Sequence, residues 1–188
     1  MDTGAATGTR RSDYFLQSMV QSVELLLDER SEAVVREQWA ALARAGIASP
    51  RGETHRPHVT VAVAREIWPR VDRALAGLAF RPLPIRLGGL LVFGARRPIL
   101  VRAVVVTEEL LALHRQVDEL VEPCPGIPAN MRPGAWTPHV TLARRVPPDR
   151  LGAAVDAVAA DHDFPAVVVG VRRWDGDARQ ERVILGGR

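Results

Sequence analysis

The tetrapeptide Pro-His-Val-Thr occurs twice in this 188-residue chain, at 57–60 and at 138–141, and the two copies stand in matching surroundings. Before each comes a helical stretch and a loop rich in Pro and Gly; after each comes another helix and a two-stranded antiparallel unit. Gly88 follows His58 by thirty positions, and Gly170 follows His139 by thirty-one. A repeat on this scale is a property of the fold, because a duplicated order of elements packs as equivalent units. The expected fold class is α+β, with two pseudo-twofold-related lobes of antiparallel sheet, helices outside, and a central cleft between the histidine strands. The strand order is not legible from this pattern.

The segments themselves follow from local chemistry. Residues 20–27 form an apolar run that suits a buried strand. Residues 31–45 carry Val35, Trp39 and Leu42 at helical spacing, with Ser31 as the expected cap and Gly46 as the end. The stretch 47–57 holds Pro50, Gly52 and Pro57 and reads as a loop. A β-branched strand covers 58–63, a helix 66–78, and strands 83–93 and 98–106 are joined by a turn at 94–97. Thr107 caps a helix running to 121, with Glu108 and Glu109 at its positive end. A Pro/Gly loop at 122–137 precedes a strand at 139–143. A helix at 148–160 with prolines at its start, and strands at 166–174 and 181–185, complete the order. Glycine inside a strand commonly marks a bulge, so Gly88 and Gly170 are expected to play matching roles. Residues 1–18 read as a disordered tail, leaving 19–188 as a single bilobal domain.

Each repeated tetrapeptide opens a strand, and side chains alternate along strands. His58 and Thr60 therefore share one face, with Val59 and Val61 on the other; His139 and Thr141 likewise oppose Val140 and Leu142. Two such strands brought together offer two imidazoles and two hydroxyls to a common space. That set suits phosphoryl transfer at a diester. A neutral imidazole takes a proton from the attacking oxygen, a protonated one gives a proton to the leaving oxygen, and hydroxyls bond the non-bridging oxygens. A single His-x-Thr strand is better explained by a structural histidine; two identical copies at corresponding positions favour a site.

The two motifs, His58-Val59-Thr60 and His139-Val140-Thr141, eighty-one positions apart, resemble the signature of the two-histidine phosphoesterases. Within that family the chain is most similar to the bacterial RNA 2′,3′-cyclic phosphodiesterase and 2′-5′ RNA ligase group. Residues 87–94, Leu-Gly-Gly-Leu-Leu-Val-Phe-Gly, also look like the family's glycine and phenylalanine stretch. The resemblance covers 20–185. It implies hydrolysis of 2′,3′-cyclic phosphate ends of RNA or nucleotides to 2′-phosphates, reversible in some members as 2′-5′ ligation, with no metal and no cofactor. It further implies His58 as proton donor, His139 as proton acceptor, and Thr60 and Thr141 as phosphate ligands; donor and acceptor are interchangeable on sequence grounds.

Arg144 and Arg56 flank the motifs and are candidate phosphate ligands, as are Arg65 and Arg145. Trp136 is a candidate for stacking on a base. Trp39, Trp68, Trp174 and Phe93 read as core. His55 and His58 lack the spacing and companions of a metal site, and His114 and His162 read as surface or core residues.

The net charge of +3 suits a polyanionic partner, although all 25 basic residues are arginine and genome composition contributes to that usage. A single cysteine, Cys124, leaves no internal disulfide. No stretch approaches the length of an apolar membrane span, and no apolar export segment follows Arg10 and Arg11. A cytoplasmic monomer acting on RNA ends or cyclic-phosphate nucleotides, without membrane contact, is the expectation. The alternatives are a catalytically silent RNA-end binding module of the same fold, and a phosphodiesterase for another 2′-linked or cyclic nucleotide.

Overall fold

The structure, a computed structural model, describes residues 20–47, 55–159 and 163–186. The tail at 1–18, most of the first Pro/Gly loop and His162 lie outside the described residues. The elements in chain order are β1 (Gln21–Leu27), α1 (Glu29–Arg44), β2 (His58–Ala64), α2 (Pro69–Ala76), β3 (Leu83–Phe93), β4 (Ile99–Val104), α3 (Glu108–Val121), β5 (His139–Ala143), α4 (Leu151–Val158), β6 (Phe164–Asp175) and β7 (Gln180–Gly186).

One antiparallel sheet runs β2-β1-β6-β3-β4-β5, with β7 on the remaining edge of β6. That order is a palindrome: exchanging β2 with β5, β1 with β4 and β6 with β3 reproduces it. The pseudo-twofold passes through the β3–β6 junction, where Ile85 faces Ala166. The duplicated unit is thus β-α-β-α-β, with β3 closing the first copy and β4 opening the second. The sequence pattern groups β3 and β4 as one hairpin unit, because a short turn joins them; in the fold they belong to different copies. The two register breaks do match, at position 88 of β3 and position 169 of β6, but they align Gly170 with Gly89 and Gly88 with Val169, so the matching role expected of Gly88 and Gly170 is off by one residue.

The alternation expected of the two histidine strands is met. Val59, Val61, Val140 and Leu142 are fully buried beneath the helices, while His58, Thr60, His139 and Thr141 are half-buried on the other face. Helices cross over between copies. α1 packs on α4 and β5, and α3 packs on α2 and β2, so each histidine strand is backed by the first helix of the other copy. β2 and β5, the two ends of the sheet, consequently lie against one another.

Several boundaries differ from expectation for local reasons. Asp28, not Ser31, caps α1: it accepts from Ser31 N at 2.8 Å and Ser31 Oγ at 2.9 Å, and also ties down Val167 N at 2.9 Å. α2 begins at Pro69 rather than 66, since the residue before a proline is held extended, as Trp68 is at φ −71°, ψ 149°. The helix expected from 148 opens as a 3-10 turn, Pro148–Arg150, before α4. Gly126 in the long loop has φ +77°, and a Cβ there would lie 2.8 Å from Arg65 Cβ, so glycine lets this loop dock on the end of β2.

Candidate active site

His58 opens β2 and His139 opens β5, and both rings are held in the same way. Nδ1 of His58 bonds the carbonyl of Arg56 at 2.7 Å, and Nδ1 of His139 bonds the carbonyl of Thr137 at 2.7 Å. A carbonyl only accepts, so each Nδ1 carries the proton and each Nε2 is left for chemistry. Thr60 and Thr141 stand two residues on, on the same strand faces. The two imidazoles are near enough that the charge of His58 acts on His139.

A pair of indoles ties the strands together. β2 and β5 are edge strands, each with a row of backbone groups that the sheet does not pair. Trp39 of α1 donates Nε1–H to the Thr141 carbonyl at 3.0 Å, and Trp136 donates to the Thr60 carbonyl at 3.0 Å. Each His-x-Thr strand is therefore pinned at its threonine by a tryptophan from the other copy of the repeat. Trp136 also stacks flat on buried His114, with centroids 4.0 Å apart, so one face of the ring expected to meet a base is covered by the protein.

The chemistry around the two histidines differs sharply. On the His58 side, Glu24 of β1 and Arg172 of β6 are 4% and 2% exposed. Arg172 Nε donates to Glu24 Oε2 at 2.7 Å, Arg172 also pairs with Glu181 of β7, and Ser22 Oγ donates to Glu24 Oε1 at 2.7 Å. Glu24 Oε1 lies 3.5 Å from His58 Nε2. Arg172 approaches His58 Nδ1 at 3.4 Å, but that nitrogen's proton goes to Arg56, so the guanidinium is a charged neighbour and not a donor to the ring. Burial pushes the Glu24 carboxyl up, yet the charges of His58 and Arg172 and the bonds from Ser22 and Arg172 outweigh it and hold it below its ordinary value. Glu24 is an ionised carboxylate at neutral pH.

On the His139 side the neighbour is aromatic: the Phe93 ring meets the imidazole edge-on at 4.9 Å. Burial holds the His139 pKa below its ordinary value, the charges of Arg144 and His58 add to this, and the Thr137 carbonyl works against it. His139 is neutral at pH 7.

Of the flanking arginines, Arg144 follows β5 directly and is exposed. Its charge acts on His139, His55 and Glu24, residues of both copies. Arg56 is engaged in an ion pair with Glu32 of α1 at 2.6 Å, and its carbonyl serves His58. His55 lies edge-on to His58 at 5.6 Å and tilted to Trp39 at 5.5 Å; burial, with the charge of His58 adding, lowers its pKa to about 4. Among the described residues no group of three or more His, Cys, Asp and Glu is placed to hold a metal ion, and no helix is long and apolar enough to cross a membrane.

Sequence reasoning passed over Glu24, Arg172 and Phe93. Glu24 was readable as a lone carboxylate in an apolar strand, which requires a buried partner. Phe93, expected in the core, is half-buried against His139.

No curated protein sequence is significantly similar to the chain. Solved structures are similar in fold. One, named TT0787 and from Thermus thermophilus, has TM-score 0.57 and 21% identity over 88% of this chain and 95% of that one. Another is Usb1 of Kluyveromyces marxianus with uridine monophosphate, with TM-score 0.52 and 16% identity over 89% of this chain and 99% of that one. The profile of one family matches residues 30–178, a span that includes both His-x-Thr strands, and by that match the chain belongs to the 2'-5' RNA ligase superfamily.

Proposed function

We propose that the protein hydrolyses 2′,3′-cyclic phosphate ends of RNA or nucleotides to 2′-phosphates by metal-independent acid–base catalysis at His58 and His139. The observation that carries this is the duplicated imidazole: two rings from opposite copies of the repeat, each locked through Nδ1 to a carbonyl two residues back, each with Nε2 left to act. In-line displacement at phosphorus calls for a base on one side and an acid on the other.

His139, neutral at pH 7, takes a proton from water as the water oxygen bonds to phosphorus. The bond from phosphorus to the ribose 3′-oxygen breaks, and that oxygen receives a proton from His58. The product is a 2′-phosphate with a free 3′-hydroxyl. The Thr60 and Thr141 hydroxyls and the Arg144 guanidinium bind the non-bridging oxygens, where negative charge accumulates. With a 5′-hydroxyl in place of water, the same forward steps join two ends through a 2′-5′ bond, and their reversal cleaves that bond back to the cyclic phosphate and the 5′-hydroxyl. Arg56, paired with Glu32, and Trp136, stacked on His114, serve the fold in this scheme.

The test is incubation of the protein with adenosine 2′,3′-cyclic phosphate, and with a short RNA ending in one, in the presence of a chelator. A 2′-phosphate product is expected; tight RNA binding without turnover would replace the enzyme with an end-binding module.

Arg144 gives a separate expectation. Arg144→Gln removes a charge-assisted contact worth about 1.5–3 kcal/mol, so KM is expected to rise by about ten- to a hundredfold. Because the Arg144 charge helps hold the His139 pKa down, the acid limb of the kcat/KM profile should also move to higher pH. A pH series on both proteins checks this, and an unmoved limb would remove Arg144 from the site.

A further inference from the structure

We propose that Glu24 is the positioning residue that commits His58 to the proton-donor role and so sets the direction in which protons cross the site, an inference that rests on the acid–base reading above. The pseudo-twofold makes the comparison. Glu24 faces Thr60 across the β1–β2 ladder, and its counterpart facing Thr141 across β4–β5 is Val101. Arg172 faces Glu24, and its counterpart facing Val101 is Leu91. Ring locking through Nδ1, the hydroxyl two residues on and the indole behind it are duplicated. The charges are not: the first copy carries a carboxylate and a guanidinium where the second carries valine and leucine.

A valine at position 24 would pack the sheet as Val101 does, without the cost of burying an ion pair. The retained carboxylate lies 3.5 Å from the nitrogen that must hold the transferable proton. A carboxylate at that distance faces the Nε2–H and orients the ring that carries it. Arg172 opposes it from the Nδ1 side, but its guanidinium is shared between Glu24 and Glu181. The trio carries one net negative charge, and Glu24 is its member 3.5 Å from His58 Nε2. The other titratable groups around His58 are His55, neutral with a pKa of about 4, and His139 on β5, also neutral, and the charge of Arg144 acts on both. Glu24 is the group that offsets the two arginines.

Glu24→Gln keeps the shape and one acceptor oxygen for Arg172 while removing the charge, with the Ser22 hydroxyl turning to accept from the amide. The His58 ring resonances, assigned by their loss in His58→Ala, are expected to titrate at lower pH in Glu24→Gln than in the unaltered protein. The alkaline limb of kcat/KM should follow, with activity at pH 8 reduced about tenfold and activity at pH 6 held to within about twofold. Should Glu24→Gln fail to fold, Glu24→Asp keeps a carboxylate for Arg172 but withdraws it from His58, and the same shift is expected in smaller measure. An unchanged His58 titration overturns the proposal. Because the titration needs no turnover, a protein inert toward cyclic phosphates would sink the proposed reaction while the resonances still decide the role of Glu24.

Discussion

His139→Ala is expected to lower kcat/KM on a 2′,3′-cyclic phosphate by about 10²–10⁴-fold, the usual worth of a positioned general base. His58→Ala should do the same through loss of the acid. The fold gives no reason for either variant to unfold: the side chains that anchor β2 and β5 are Val59, Val61, Val140 and Leu142 on the opposite face. Thermal melting should therefore show little change while turnover collapses. The double variant should be scarcely worse than either single one, because acid and base act in one displacement and residues that work as a unit are not additive. Steady-state kinetics on the three proteins decide the matter, and near-normal turnover by either single variant would refute the scheme.

Trp39→Ala should cost about 3–5 kcal/mol of stability, in the range for a large aromatic removed from a core. The ring is 7% exposed beneath β5. Trp39→Phe separates packing from bonding, since it keeps most of the ring and removes only the N–H that serves the Thr141 carbonyl at 3.0 Å. Leaving that edge carbonyl unpaired should cost about 1–3 kcal/mol, and each kcal/mol lowers Tm by about 2–4 °C in a chain of this size. Trp136→Phe does the same to Thr60 on β2. If both phenylalanine variants melt with the unaltered protein, the indoles are packing groups and the two strands are held by the helices alone.

Local sequence sufficed wherever a single strand or helix decides the outcome. The faces of β2 and β5 follow from alternation within each strand, so the buried valines and the outward imidazoles were legible without knowing any neighbour. The bounds of β3 and β5 were legible for the same reason, and α3 was legible from Thr107 as its cap. Asp28 displaced Ser31 as the cap of α1 because Asp28 also satisfies Val167, a residue far along the chain whose need is invisible in the local sequence.

The repeated tetrapeptide by itself determined that two imidazole–hydroxyl strands exist and which way their side chains point, since both facts depend on a two-residue period and nothing more. Tertiary structure alone decided how they differ. Which strand edges lie open to an indole, that Trp136 and Trp39 reach the opposite strands, and that Glu24 meets Arg172 across 148 positions all depend on strand order and register. Those are set by burial summed over the whole sheet. A charge inside an apolar run announces that it must have a partner, but only the packed sheet determines which partner it has and which histidine it faces.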